Sequence, residues 1–339
     1  MFIRPVTLDD HEAVLSLAKA AGIGMTSLPA NAEVLKEKIE KATKTFAKDP
    51  SIAGNEMYLF VMENAATHEV VGTCGIKAHV GLNQPFYSYK VTTITQQSRE
   101  LDIFSKHTLL QVTNDLTGAS EISSLFLLPE YRRDRLGRLL SLCRFLFIAA
   151  YPDCFADQVI SEMRGVNDLS GNSPFYNSIA KHFFEIEFAK ADYINATQGN
   201  QFINDLMPKY PIYVSLLPHE AQQVIGQPHP NSVAARAMLE KQGFRWNGYI
   251  DIFDGGPTLQ ADKQLLKGVS ESRILRIAEI NDAIQSEKYI LSNDRFAEFR
   301  CCAGRMELTD NGEAKISSRT ASYLNVSVND SIRFMPHTS

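Results

Sequence analysis

The sequence predicts an α/β protein: a central sheet flanked by helices, interrupted by a long insertion and followed by a small all-β domain. Three observations carry that prediction. Strand-length apolar runs alternate with helical patterns as far as residue 257. Residues 121–150 place an apolar strand, an arginine-rich turn and a helix of nearly continuous apolar residues in immediate succession. Beyond residue 270 the pattern becomes short β-like runs separated by Asn, Asp and Gly. A length of 339 residues accommodates two domains. The expected division is 1–257, with the insertion at about 166–230, then 258–339 as a linker helix and a barrel-like domain.

The first strand covers residues 2–6, and Thr7 to Asp10 supply a turn and N-cap for a helix with Val14, Leu15, Leu17 and Ala18 on one face. A loop of small and polar residues, 22–31, leads to a second helix over 32–46 with alternating Lys and Glu on its exposed side. Residues 57–62 and 70–78 read as strands joined by a hairpin loop, 86–95 as a further β stretch, and 99–114 as mixed. The turn 114–118 delivers the chain to the central strand at 122–128, which Pro129 ends because proline cannot donate a ladder hydrogen bond. Leu136 opens the apolar helix, and 158–163 is the next strand. In the insertion, Ser173-Pro174 caps a helix over 175–184, a second helix spans 199–207, and Pro208, Pro211 and Pro218 punctuate the remainder. Asn231 is the N-cap of a helix with Ala234, Met238 and Leu239 as its apolar stripe and Gly243 as its stop. Residues 249–253 close the sheet, 254–257 end the domain, and a charged helix follows from 258. The last β-like runs are 273–277, 289–291, 296–308, 314–318 and 331–335.

Hydrophobic residues at 44% and charged residues at 22% are ordinary for a soluble globular chain. A net charge of −5 provides no global basic field for nucleic acid or an acidic membrane. The cluster Arg132, Arg133, Arg135 and Arg138 around Gly137 is therefore local, and suits a small polyanion. Free N–H groups and the dipole of a helix N-terminus attract phosphate, and guanidiniums add charge-assisted hydrogen bonds. Spacing alone also fits a surface turn of solvated arginines. Five cysteines without a C-x-x-C pair point to a reduced, metal-free, cytoplasmic protein. The first residues have no signal-peptide core, and no run approaches transmembrane length.

The pattern Leu127-x-Pro129-x-x-Arg132-x-x-x-x-Gly137-x-Leu139-Leu140 resembles the acyl-CoA segment of the GNAT N-acyltransferase superfamily. In that superfamily the loop wraps the CoA pyrophosphate and the preceding strand holds the pantetheine. The superfamily loop usually carries glycine where Arg135 stands, so the turn here is expected to be wider or differently built. Asn231-x-x-Ala234-x-x-x-Met238-Leu239-x-x-x-Gly243-Phe244 resembles its second recurrent segment, whose helix flanks the CoA arm. The strand–Asp9-Asp10–helix opening fits as well, and the 22–31 connection would wall the acceptor site. The resemblance implies a GNAT-like mixed sheet.

Further stretches resemble the arginine N-succinyltransferase family: Leu28-Pro29-Ala30-Asn31, Glu162-Met163-Arg164-Gly165, Leu206-Met207-Pro208-Lys209, Gly226 to Asn231, and Tyr249 to Pro257. That resemblance implies transfer of succinyl from succinyl-CoA to the α-amino group of L-arginine, in arginine catabolism. It implies no prosthetic group, with succinyl-CoA as co-substrate, and a homo-oligomer (a dimer) or a pairing with a homologous chain. Ornithine or another amino acid as acceptor, and a non-catalytic acyl-CoA-binding subunit, remain the alternatives.

On the superfamily pattern, backbone groups at Leu125 meet the thioester and those at Leu127 the pantetheine, while Arg132, Arg133, Arg135, Gly137 and Arg138 take the pyrophosphate. Many GNAT enzymes protonate the leaving thiolate with a tyrosine; Met238 and Leu239 stand at the matching place. His229, held between Pro228 and Pro230 beside a helix N-terminus, is the expected proton carrier, and the family takes it as the proton donor. A rigid loop spacer is its other reading. Tyr176 is the reserve acid, and His182 reads as structural. Glu162, Asp251 and Asp254 are the candidate carboxylates for a guanidinium, and Arg164 the candidate for the succinyl carboxylate.

Overall fold

The computed structural model describes residues 1–50 and 54–337. One mixed sheet runs through the molecule. In chain order its strands are β1 (Phe2–Pro5), β2 (Met57–Glu63), β3 (Val70–Lys77), β4 (Ser88–Ser98), β5 (Ile103–Thr113), β6 (Ser120–Leu127), β7 (Gln158–Glu162), β8 (Ile212–Tyr213), β9 (Arg245–Asp251) and β10 (Pro257–Asp262). The C-terminal strands are β11 (Arg273–Ile280), β12 (Lys288–Asn293), β13 (Cys301–Leu308), β14 (Ala314–Ile316) and β15 (Ser331–Pro336). The spatial order is β12-β15-β11-β14-β13-β1-β2-β3-β6-β7-β10-β9-β4-β5-β8. A β12–β13 pairing closes β11 to β15 into a five-stranded ring, the small all-β unit of this α/β chain.

Helices cover both faces. On one side α1 (His11–Ala21) and α2 (Ala32–Phe46) bury Val14, Leu17, Leu35 and Ile39 against Leu59, Val61 and Phe126. On the other lies α3 (Leu136–Ala150), whose residues 139–148 are all buried. A helix apolar all round is one enclosed on all sides. Gly72 of β3 allows α3 to come this close, since a Cβ there would meet Leu140 Cδ2 at 2.9 Å. Strand alternation stitches the ring to the main sheet. Phe2 and Ile3 of β1 pair with Cys302 and Cys301 of β13. Ile3 and Cys301 join the main core, while Phe2 and Cys302 join the core of the ring.

The active region is positioned by a break in the ladder. β6 pairs antiparallel with β3, but the register shifts between Thr73 and Gly75, opposite Ser124, whose φ is 53°. Such a bulge bends its strand. The parallel β6–β7 ladder is limited to Ser120↔Val159 and Glu121↔Ile160, and beyond Glu121 the two strands part.

The insertion contains α4 (Pro174–Ser178), α5 (Lys181–Phe184), α6 (Phe188–Thr197), α7 (Gln201–Leu206) and α8 (His219–Val224). α9 (Val233–Lys241) follows a 3-10 turn at Pro230–Ser232, and α10 (Lys267–Ser270) and α11 (Ser318–Leu324) complete the chain. Several elements differ from the sequence expectation. The helix expected from residue 258 is instead β10, sandwiched between β7 and β9. The charges that suggested a helix, Asp262, Lys263 and Lys267, begin only where that strand ends. The single helix over 175–184 is broken at Ile179 into α4 and α5. α6 and α11 were not anticipated. The mixed 99–114 region is β5, an 11-residue partner of β4 in a long hairpin.

Candidate active site

Where β6 and β7 part, a cleft of about 780 Å³ opens between the sheet, the α1–α2 connection, the start of α3, α6 and α9. From β6 and the turn before α3 it is lined by Leu125, Leu127, Arg132, Arg133, Arg135 and Gly137. From β7, α6 and the β9 turn come Glu162, Arg164, Asp192, Asp251 and Asp254. The sequence-predicted residues are thus brought to one cleft, with three exceptions. Arg138, His229 and the reserve acid Tyr176 lie outside its lining.

The turn before α3 answers the question raised by Arg135. Asp134 and Arg135 both adopt left-handed backbone, with φ of 52° and 60°, and Arg135 is the helix N-cap. The turn keeps a conformation that glycine adopts freely, at a cost of roughly 1–2 kcal/mol for a side-chain-bearing residue. Arg132 folds back, its Nε donating to Leu127 O at 3.0 Å and its guanidinium lying 5.6 Å from the Phe126 ring centre. At Gly137 an added Cβ would meet only Leu127 Cδ2, at 3.8 Å, so the space before it belongs to the cleft. The Arg138 guanidinium instead turns inward, with Nε and Nη2 buried and unpartnered, and burial and Arg135 lower its pKa. It remains beside Arg135 but does not line the cleft.

The carboxylates divide by what their oxygens already accept. Asp254 accepts Gly165 N–H at 2.7 Å and Gly256 N–H at 2.9 Å, one on each oxygen. Asp251 uses a single oxygen for Phe253 N–H and Asp254 N–H, both at 2.7 Å. These two acids therefore pin the 251–256 turn. Glu162 makes no such backbone contact. Burial, then the charges of Asp251 and Glu121, raise its pKa well above the ordinary range. Asp254 is raised well above by burial and Asp251, and Asp251 is raised by burial.

His229 is tied to two residues that line the cleft, Arg164 and Asn231. Its N–H donates to Arg164 O at 2.7 Å, and Pro228 bridges to Gly165. Its Nδ1 accepts Asn231 N–H at 3.1 Å, so in the neutral ring Nε2 carries the hydrogen. Burial and the Arg164 charge lower its pKa below the ordinary 6.5. Asn231, expected as the helix N-cap, instead lies in the 3-10 turn and lines the cleft. Met238 and Leu239 line the cleft as well. Tyr176 is in the insertion core, donating to Ile186 O at 3.0 Å, and does not line the cleft. His182 is exposed.

Four cleft residues escaped the sequence reading. Lys77 of β3 pairs with Glu121 at 2.7 Å, and Lys38 of α2 donates to Ser27 O at 3.2 Å. Burial and Lys77 pull the Lys38 ammonium down to about 7. Asp192 of α6 accepts Thr26 Oγ1–H at 2.5 Å, and burial raises its pKa. Arg144 of α3 is 1% exposed. The available signal was a lone charge on an otherwise apolar face: Arg144 within 139–148, and Asp192 beside Phe188 and Ala191.

Among the described residues, no helix is long and apolar enough to cross a membrane. All five cysteines are free and buried.

Residues 1–268 match the family model described as arginine N-succinyltransferase beta subunit, and residues 273–336 match the model of its C-terminal domain. The chain is 44% identical over 312 residues to an arginine N-succinyltransferase of Yersinia enterocolitica, covering 91% of this chain and 90% of that one. It is 44% identical over 309 residues to one from Escherichia coli, covering 91% and 89%. The solved structure of arginine/ornithine succinyltransferase subunit AI from Pseudomonas aeruginosa superposes with a TM-score of 0.91 at 34% identity, covering 100% of this chain and 99% of that one. The chain belongs to the arginine N-succinyltransferase family.

Proposed function

We propose that the chain transfers the succinyl group of succinyl-CoA to the α-amino group of L-arginine. The observation that carries this reading is the lining of the cleft, which combines guanidiniums from the turn before α3 with carboxylates from β7, α6 and the β9 turn. CoA carries phosphates, and arginine is a cation. A single groove holding both kinds of group, through the part where β6 lacks its β7 ladder, suits both at once.

Arg132, Arg133 and Arg135 take the pyrophosphate together with N–H groups of the α3 start, and the unladdered edge at Leu125 and Leu127 takes the thioester and pantetheine. Glu162 and Asp192, the carboxylates least committed to the backbone, hold the guanidinium. Asp251 and Asp254 shape the turn beneath them. The neutral amine attacks the thioester carbonyl, forming the N–C bond. The C–S bond then breaks, and the proton lost by the amine passes through His229 to the CoA sulfur. An imidazolium bears hydrogen on both nitrogens, so charging His229 means releasing Asn231 N–H. That contact, burial and Arg164 together return the ring to its neutral form between turnovers.

The assay is CoA release by the purified single chain with succinyl-CoA and arginine. No turnover from folded protein would favour a subunit that needs a second chain. Ornithine as acceptor is a second reading favoured by the cleft itself, since carboxylates recognise either cation. Comparing kcat/KM for the two amino acids decides between them.

A further inference from the structure

Arg144 is the largest fully buried side chain among the described residues. It stands two turns inside α3, in a run otherwise free of charge from Leu139 to Ile148. Its hydrogen bonds go only to neutral acceptors. Nε donates to Ser141 O at 2.9 Å, Nη2 to Ser141 Oγ at 2.9 Å, and Nη1 reaches Ser123 O at a long 3.4 Å. A buried guanidinium is ordinarily matched by a carboxylate, because an unmatched ion in the interior is costly. Here no carboxylate acts on it: apart from burial, the ionisable groups near enough to influence Arg144 are the Cys74 and Cys143 thiols. The other interior cations of the cleft differ. Lys77 is paired with Glu121, Lys38 feels Glu121 and Asp192, and Arg164 feels Asp254 and Asp192.

Arg144 nevertheless lines the cleft, as does Ser123, whose carbonyl it touches and whose hydroxyl oxygen is buried without a hydrogen-bond partner. Ser123 directly precedes the bulge at Ser124, just beyond Leu125, where the thioester is assigned. A cation without its anion and a hydroxyl without its partner therefore flank the place that the acyl chain enters.

We propose that Arg144, with the Ser123 hydroxyl, is the subsite that recognises the terminal carboxylate of the acyl group and so selects a dicarboxylic acyl-CoA over a neutral one. The inference rests on the acyltransferase reading above. It moves the acyl carboxylate away from Arg164, whose neighbours are acids, to an interior cation of the cleft that, among the described residues, none of those acids pairs with. The substrate would supply the missing counter-charge, and a neutral acyl chain would leave the guanidinium unmatched.

The test compares kcat/KM for succinyl-CoA with that for butyryl-CoA, a neutral acyl chain of similar length. The wild type should prefer succinyl-CoA. Arg144→Gln should lower the preference roughly 10–100-fold, the scale of one charged hydrogen-bonding contact, while CoA itself binds as in the wild type. A Gln variant that retains the wild-type ratio overturns the proposal and leaves the succinyltransferase reading standing. A wild type indifferent to the two thioesters overturns both. If Arg144→Gln does not fold, Arg144→Lys decides: it keeps the charge but not the fork, so a reduced ratio supports the subsite and an unchanged one overturns it. A purely structural Arg144 would change activity on both thioesters alike.

Discussion

At the scale of single residues, His229 and Arg135 illustrate how far side-chain identity can be read before the fold is known. The two prolines made His229 visible in the sequence, but not the two contacts that set its chemistry. Arg164 O fixes its backbone, and Asn231 N–H occupies Nδ1. His229→Ala should lower kcat about 10²–10⁴-fold, the usual range for general acid–base catalysis, with CoA affinity unchanged in calorimetry. Because the folded pKa is depressed, the neutral ring that accepts the amine proton persists below 6.5. Activity should be lost as pH falls through an inflection under that value, and the inflection should vanish in the mutant. Near-normal turnover in folded His229→Ala protein would make the histidine a spacer. Arg135 makes a sharper stability case. Arg135→Gly relieves a left-handed backbone, worth roughly 1 kcal/mol, which offsets the chain entropy that glycine adds. Its Tm should therefore match or exceed the wild type while the KM for succinyl-CoA rises. An unchanged KM would remove Arg135 from the phosphate site. Arg144 and Asp192 were illegible because helical periodicity reports which face is buried, and a lone charge on that face looks like noise until its neighbours are known.

At the scale of elements, local pattern was a good guide wherever one element decided its own burial. α2 runs over Ala32–Phe46 as expected, with Asn31 capping it by accepting Val34 N–H at 3.0 Å, and α3 begins at Leu136. Pattern failed where distant chain decided. β10 is a strand because β7 and β9 flank it, and no property of residues 257–262 announces those partners. The break that opens the cleft was equally hidden, since Ser123-Ser124 reads as ordinary strand and only the pairing with β3 exposes the bulge. One tether crosses these elements. Asp254, at the end of the β9 turn, holds Gly165 N–H; Gly165 bridges to Pro228; and Pro228 adjoins His229. Asp254→Ala strands the buried amides of Gly165 and Gly256, costing roughly 1–3 kcal/mol for each amide left unpaired. Thermal unfolding should register that loss, and kcat should fall with CoA affinity retained, because the carrier of the proton is displaced while the arginine turn is untouched. Asp254→Asn, which keeps one acceptor oxygen, should recover part of both. A variant that is destabilised yet turns over normally would separate the tether from catalysis.

At the scale of the whole molecule, the cleft gathers acids from three distant parts of the chain: Glu162 from β7, Asp192 from the insertion, and Asp251 and Asp254 from the β9 end. Their common direction has a consequence that no one of them has alone. Each pKa lies above its ordinary value, 4.5 for Glu162 and 3.8 for the aspartates, with burial the first cause. The folded chain therefore holds more protons than the unfolded chain once pH exceeds those ordinary values. By linkage this set of groups makes stability decline as pH rises from there through the raised folded pKa values. Asp10 opposes the trend only in acid, since Arg4 and Thr7 hydrogen bonds depress its pKa. A guanidinium seated among these carboxylates favours their charged forms, so arginine binding should expel protons and strengthen as pH rises. Calorimetry in buffers of different ionisation enthalpy measures that release directly. The expected result is net proton release on arginine binding, diminished in Glu162→Gln together with arginine affinity, while CoA binding in the variant stays as in the wild type. Arginine binding without proton release, equally tight across that pH range, would place the guanidinium away from these carboxylates.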